Sequence, residues 1–322
     1  MSNNISINKT TKPLVEKLIE KVSELNLSIE TTEGGAKIID AGINTSGCLE
    51  SGRLITEICM GGLGYVSLSM SNNIKEWPLS IHVHSSNPVL SCLASQYAGW
   101  NLSFVKEEDN FNALGSGPCR ALAQKEEIFK DLNYKDKFFS TVVILEVDRR
   151  PPQEIIDKIT TDCEISEKNL TLILTPTRSL SGCVQVVGRV LEVGMHKLHE
   201  IGFPLKKVID GFGSAPVPPP APDFLIGMGR TNDAILYGGQ VHLYVDVDDD
   251  EAYELAKRLP SSTSKDYGRT FAEIFKEYKY DFYQIDKLLF SPAKVIVTTL
   301  KTGKTFVSGE INTELVNQSF SK

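Results

Sequence analysis

Gln185, Arg189, Glu192, His196 and His199 follow one another at offsets of 4, 7, 11 and 14 from the first. At about 100° per residue these positions superpose on one side of an α-helix. The other side collects Val186, Val187, Val190, Leu191, Gly194 and Leu198. One helix face thus presents an amide, a guanidinium, a carboxylate and two imidazoles. A carboxylate in that company can take a proton from water and return it to a leaving group, acting as general base and then general acid. The plain alternative is a solvated amphipathic face with an Arg–Glu pair three residues apart, worth roughly 0.3 kcal/mol. Against it, only one Lys and one Glu edge the face, fewer than a purely solvating helix carries.

Other clusters signal less. Gly115-Ser116-Gly117-Pro118 precedes a helical pattern over Ala121, Leu122, Ile128, Phe129 and Leu132. Small residues there leave N–H groups open to an anion or carbonyl. An ordinary helix start explains the string better, and phosphate-loop spacing with its Lys is missing. His82-Val83-His84 sets two imidazoles on one face of a strand, but no third metal ligand can be identified for them. Asp246, Asp248, Asp249 and Asp250 lack the glycine and closing Glu of a calcium loop, and read as a solvated helix start. Asn232-Asp233, after Gly229-Arg230-Thr231, falls at a loop-to-strand junction, suited to ligand contacts or to an Asx turn. No G-x-S-x-G, H-E-x-x-H or dinucleotide motif occurs.

The elements that must position these groups are partly legible. The chain has 322 residues, 41% hydrophobic and 23% charged, ample for two domains. The 34 Lys+Arg against 41 Asp+Glu leave a net charge of −7, which argues against a general nucleic-acid binder. No run approaches the roughly 18 apolar residues that cross a bilayer, and the polar N-terminus lacks a secretory core. A cytoplasmic protein is expected, with its six scattered cysteines as small core residues.

A first helix is predicted with Thr10 or Thr11 as cap and Pro13 in its first turn, a second from Glu50 through Ile58, and a long one over 183–201. Strands are predicted at 36–41, 65–69, 79–83, 138–147, 170–174 and 294–300. Residues 234–237 and 240–247 read as a hairpin about Gly238-Gly239. The Gly- and Pro-rich passage 211–222 reads as extended chain outside any ladder. Asp148 to Pro152 is the expected domain junction, giving domains of 1–148 (with about 290–322 returning to it) and 149–289. Without strict βαβ alternation the fold class is α+β, two α/β-type domains with mixed sheets side by side and a cleft between them.

Several strings carry a resemblance. They include the stretches Gly35–Gly42, Glu57–Gly64, Ala94–Trp100, Ala113–Pro118 and Gln185–Glu192. Gly213–Pro216, Gly229–Ala234, Tyr237–Gly239 and Phe290–Ala293 follow in order. Along nearly its whole length the chain resembles the methenyltetrahydromethanopterin cyclohydrolases. The resemblance implies hydrolysis of the cyclic 5,10-methenyl pterin to its 5-formyl form in one-carbon metabolism, without metal or redox cofactor. It further implies a homo-oligomer, a trimer in that family, with no nucleic-acid or membrane partner. The family's carboxylate and arginine form an Arg-x-x-Glu pattern, which falls here on Arg189 and Glu192. Cys119 and Gly188 stand where other small residues are expected.

The reacting carbon of such a substrate lies between two nitrogens and is already an electrophile. Glu192 would activate water, protonate the leaving nitrogen and attract the cation. Arg189 would hold Glu192 in one rotamer and offset part of its charge. Gln185, Gln96, Tyr97, Ser116, Gly117, Asn232 and Asp233 are the expected substrate-binding residues, amides matching the pterin edge. Three competing readings stand beside this one: a pterin or folate carrier without turnover, the same reaction on a tetrahydrofolate, and a metal hydrolase built on His82 and His84.

Overall fold

The N-terminal helix α1 (Ile7–Glu20) starts earlier than its sequence suggests. Ser6, not Thr10 or Thr11, is its cap and accepts from the Lys9 N–H. The other open N–H groups are met from far along the chain. Ile7 N donates to the Tyr134 hydroxyl at 3.3 Å and Asn8 N to the Asp136 carboxylate at 2.9 Å. Pro13 consequently lies inside the helix.

The computed structural model describes residues 5–106, 109–281 and 284–321. After α1 come β1 (Ser28–Thr31), β2 (Lys37–Asp40), α2 (Leu49–Cys59), β3 (Tyr65–Met70) and β4 (Leu79–Ser85). A π-helix, Val89–Gln96, leads to β5 (Trp100–Lys106) and β6 (Asp109–Ser116). Then follow α3 (Cys119–Ala123), α4 (Ile128–Leu132), β7 (Thr141–Leu145), α5 (Gln153–Cys163) and β8 (Leu170–Leu174). The second half holds α6 (Leu180–Val187), α7 (Val190–Glu200), β9 (Val208–Pro216), α8 (Phe224–Leu236) and β10 (Gln240–Val245). It ends with α9 (Asp249–Arg258), α10 (Phe271–Glu277), β11 (Lys294–Thr299), β12 (Thr305–Gly309) and α11 (Thr313–Phe320).

These elements form two units, each with one mixed six-stranded sheet, so the fold class is α+β. The first unit takes the described residues up to Leu63 together with Leu90–Gly182; the second takes Gly64–Val89 and the chain from Cys183 onward. In the first, the strand order is β1-β2-β8-β7-β6-β5, with β2, β8 and β7 parallel. Alternate residues of its central strands feed two cores. Val143, Leu145, Leu172 and Leu174 pack with Ile155 and Ile159 of α5. Val142, Ile144 and Ile173 pack with Leu18 of α1 and Leu54 and Ile58 of α2. Burial on both faces is why these strands read as unbroken apolar runs.

The second unit orders its strands β12-β11-β10-β9-β4-β3, with only β10 and β11 parallel. The division is not the one expected at residue 148. The Asp148–Pro152 break lies inside the first unit because β7 and β8, on either side of it, pair in one sheet. Residues 294–299 stay in the second unit, where β11 pairs with β10.

Two further expectations are corrected. Residues 208–216 are not unpaired extended chain but a central strand, bonded to β4 and β10; the prolines that bar pairing begin only at its end. Residues 234–237 do not form a hairpin arm but close α8, whose Asp223 cap accepts from the Ile226 N–H. Gly227 and Gly229 disguise this helix in the sequence. At Gly229 the helix runs close to α10, where a Cβ would come into ordinary contact with the Ala272 Cβ at 3.4 Å.

Candidate active site

The 183–201 stretch is not one helix. α6 ends at Val187, the Gly188 and Arg189 N–H groups reach back to Val184 and Val186 (2.9 and 3.0 Å), and α7 opens with Val193 N donating to Arg189 O at 2.9 Å. Gly188, a weak helix former, falls at this break. Arg189 is therefore the N-cap residue of α7 and Glu192 lies in its first turn. There the positive end of the helix dipole favours a carboxylate.

The solvated-face alternative fails for the three residues nearest the break. Gln185 is 0% exposed, Arg189 6% and Glu192 3%. Carboxylates and guanidinium groups are rarely buried so far without a function or a network to hold them. His196, farther along, is half-buried, with Nε2 3.7 Å from a Glu200 carboxylate oxygen.

α7 sits unusually close to its sheet. A Cβ on Gly213 of β9 would fall 2.9 Å from the Val190 side chain and 3.1 Å from the Leu191 backbone nitrogen. One on Gly211 would fall 2.9 Å from the Leu191 side chain, and one on Gly239 3.1 Å from Val190. The glycines beneath the first turn of α7 thus fix the height of the backbone from which Glu192 projects.

Farther along α7, Lys197 is buried and donates from Nζ to Pro260 O (2.7 Å), Thr263 Oγ1 (2.8 Å) and Leu288 O (2.7 Å). Burial pushes its ammonium down to about 7, against the upward pull of Asp286. In the unfolded chain the same group titrates near 10.4. Between these values the unfolded state holds more protons at this group, so its contribution to stability rises with pH from about 7 toward 10. The buried thiols act in the opposite sense in both proteins, so from pH 7 to 9.5 the urea midpoint is expected to change more favourably in the wild type than in Lys197→Met. Equal changes in both would show that Lys197 makes no such contribution.

Asn232 and Asp233 lie on α8 rather than at a strand junction. Asn232 Nδ2 donates to Met228 O at 2.9 Å. Asp233 is fully buried, and its Oδ1 accepts from Phe271 N at 2.8 Å, which makes it a support for the start of α10. Arg230, one turn earlier, donates to the Pro219 and Pro220 carbonyls (3.1 and 2.9 Å) and fixes the proline passage.

In the first unit the structure brings Gln96, Tyr97, Ser116 and Gly117 together. Ser116 Oγ donates to Gln96 O at 2.7 Å, and Gly117 N to Ser95 O at 2.9 Å. The Gly117 N–H expected to meet a ligand is thus used inside the protein. Gly117 itself has φ of 99°, a conformation suited to glycine. Sequence reading passed over Arg120 just beyond this string, although its guanidinium organises the group.

His82 and His84 are sheet residues. Their Nε2 atoms lie 2.7 Å from Ser69 Oγ and 2.9 Å from Asp210 Oδ1. Among the described residues no three His, Cys, Asp or Glu converge as metal ligands, and no helix is long and apolar enough to cross a membrane. All six cysteines are free, and burial raises the thiol pKa of Cys119, Cys163 and Cys183.

Two mixed-sheet units, with a buried Arg-x-x-Glu turn seated on glycines, define an α+β protein whose most distinctive group is an enclosed acid. A family model described as Cyclohydrolase (MCH) matches residues 6–320, and the chain belongs to that family. It is 57% identical over 315 residues to the methenyltetrahydromethanopterin cyclohydrolase of Methylobacillus flagellatus, covering 98% of this chain and 95% of that one. The enzyme of the same name from Methylobacterium organophilum is 49% identical over 98% of each chain. That from Methanothermobacter marburgensis is 40% identical, over 98% of this chain and 99% of its own.

Proposed function

We propose that the chain hydrolyses 5,10-methenyltetrahydromethanopterin to 5-formyltetrahydromethanopterin in one-carbon metabolism, with Glu192 moving the protons. The observation that carries the mechanism is the burial of Glu192 beside the N-cap Arg189 in the first turn of α7.

The substrate is a cation whose bridging carbon is electron-poor. Water adds to that carbon as Glu192 takes one of its protons, giving a neutral carbinolamine. Glu192 then returns the proton to N10, the C–N10 bond breaks, and the formyl group remains on N5. The hydroxyl proton leaves to solvent as the carbonyl forms, so one cation and one water give one neutral product and one proton. The substrate supplies its own electrophile, and the scheme calls on no metal or redox cofactor. Arg189 limits the motion of the carboxylate, and the negative charge of Glu192 draws in the cationic ring. Gln185, Gln96 and Asn232 offer amides to the pterin edge, with Tyr97 as a ring contact and Ser116 and Gly117 as their support. A cytoplasmic homotrimer belongs to the same reading.

The test is loss of the methenyl chromophore on mixing with purified protein, run with methenyl derivatives of tetrahydromethanopterin and tetrahydrofolate. Rapid bleaching of the first is expected. Bleaching of the folate alone would move the substrate assignment, and bleaching of neither would end the hydrolase reading.

A further inference from the structure

Arg120 is 0% exposed, a fully buried cation outside the machinery described so far. Its fork is engaged on both sides. Nε and Nη2 donate to the two Glu126 carboxylate oxygens at 2.8 and 2.7 Å. Nη1 donates to Leu93 O at 2.9 Å and Ser95 O at 3.1 Å, near the end of the π-helix. The guanidinium lies over the Tyr97 ring, 5.0 Å from its centroid, and 5.3 Å from that of Phe129.

The segment it grips is irregular. The wide turn closes with Tyr97 N donating to Cys92 O at 2.8 Å, five residues back. Such π turns cost helix regularity and recur at functional sites. Gly99 lies tight against the same group, since a Cβ there would meet Glu126 Oε1 at 2.2 Å and Tyr97 Cε1 at 2.3 Å. The backbone leading to Gln96 and the ring of Tyr97 are therefore set by one planar cation with a bidentate counter-ion. A lysine cannot reproduce that fork and stack.

We infer that Arg120 is a positioning residue for substrate binding, holding the Tyr97 ring and the Gln96–Tyr97 backbone in their ligand-ready arrangement. This rests on the reading above, in which these two residues contact the pterin. In that reading Arg120 has no part in the proton transfers, so its loss should weaken binding and spare the chemical step.

The experiment compares wild type, Arg120→Lys, Tyr97→Ala and the double variant with methenyltetrahydromethanopterin. Wild type and Arg120→Lys are also labelled with 13C-tyrosine, the Tyr97 resonance being assigned from Tyr97→Phe. Arg120→Lys is expected to raise KM about tenfold with kcat within about threefold, and to move the Tyr97 resonance. In the Tyr97→Ala background the same change should add little to KM. Glu126→Gln, which keeps the arginine but loosens its fork, should give a smaller shift of the same kind and stands in if Arg120→Lys does not fold. An unmoved Tyr97 resonance, or a KM effect fully additive with Tyr97→Ala, overturns the inference. A wild type that turns nothing over, with the resonance still moved by Arg120→Lys, overturns the hydrolase reading and supports the anchoring of Tyr97.

Discussion

Glu192→Gln is expected to lower kcat by about 10²–10⁴-fold while leaving substrate affinity within about tenfold. The substitution keeps volume and a hydrogen-bonding head but removes the group that accepts and returns a proton. Glu192 is only 3% exposed, so bulk water has little room to replace it as a base. Some affinity loss is expected because the side chain's negative charge no longer attracts the cationic ring. Glu192→Asp should retain proton transfer but retract the carboxylate by one methylene, and a rate between the two is expected. Steady-state rates with an independent binding titration separate these effects. A variant whose kcat stays near wild type would remove Glu192 from the mechanism.

The second large effect is expected at Gly213, which never meets substrate in this account. It lies on a central strand, paired with Val83 and Val241, where alanine adopts the same backbone without strain. Any loss therefore reports on the space above the strand. The new Cβ would meet Val190 Cγ1 at 2.9 Å and the Leu191 nitrogen at 3.1 Å, so α7 must lift. Overpacking of this kind costs about 1–3 kcal/mol. The lift begins two residues before Glu192, and displacements of a few tenths of an ångström matter for proton transfer. Gly213→Ala is expected to lower the urea midpoint and to reduce kcat by about tenfold. Gly194→Ala is the comparison, on helical backbone of α7 where the new Cβ would meet nothing nearer than Val241 Cγ1 at 3.6 Å. Unaltered stability and rate in Gly213→Ala would show that α7 is not held by this contact.

The parts that were legible in the sequence are those governed by local pattern. β8 reads from its apolar run because both faces are buried. α9 reads from its acidic opening, where Asp248 and Asp249 also pair with Lys301 and Lys304 at 2.8 and 2.6 Å. The Arg189–Glu192 spacing was visible as one face of a helix, but its burial was not. Periodicity reports the side of a helix and says nothing of whether a second surface covers it.

What stayed hidden was decided by distant residues. The start of α1 depends on Tyr134 and Asp136, which lie 127 and 128 residues along the chain from the N–H groups they bind. α8 was obscured by Gly227 and Gly229, weak helix formers that lie inside it. β9 was obscured by glycines that admit α7, and the domain division by parallel pairing across a proline-rich turn. Arg120 follows a string that drew notice for its small residues, yet nothing local announces that its guanidinium is buried.

The most direct test of the central claim is a single turnover with enzyme in excess, following the chromophore of methenyltetrahydromethanopterin bound to wild type and to Glu192→Gln. The account predicts a fast exponential decay in the wild type, and in the variant a bound chromophore that persists and decays at the slow rate of the free compound in buffer. Decay of the variant's bound substrate at the wild-type rate would contradict it.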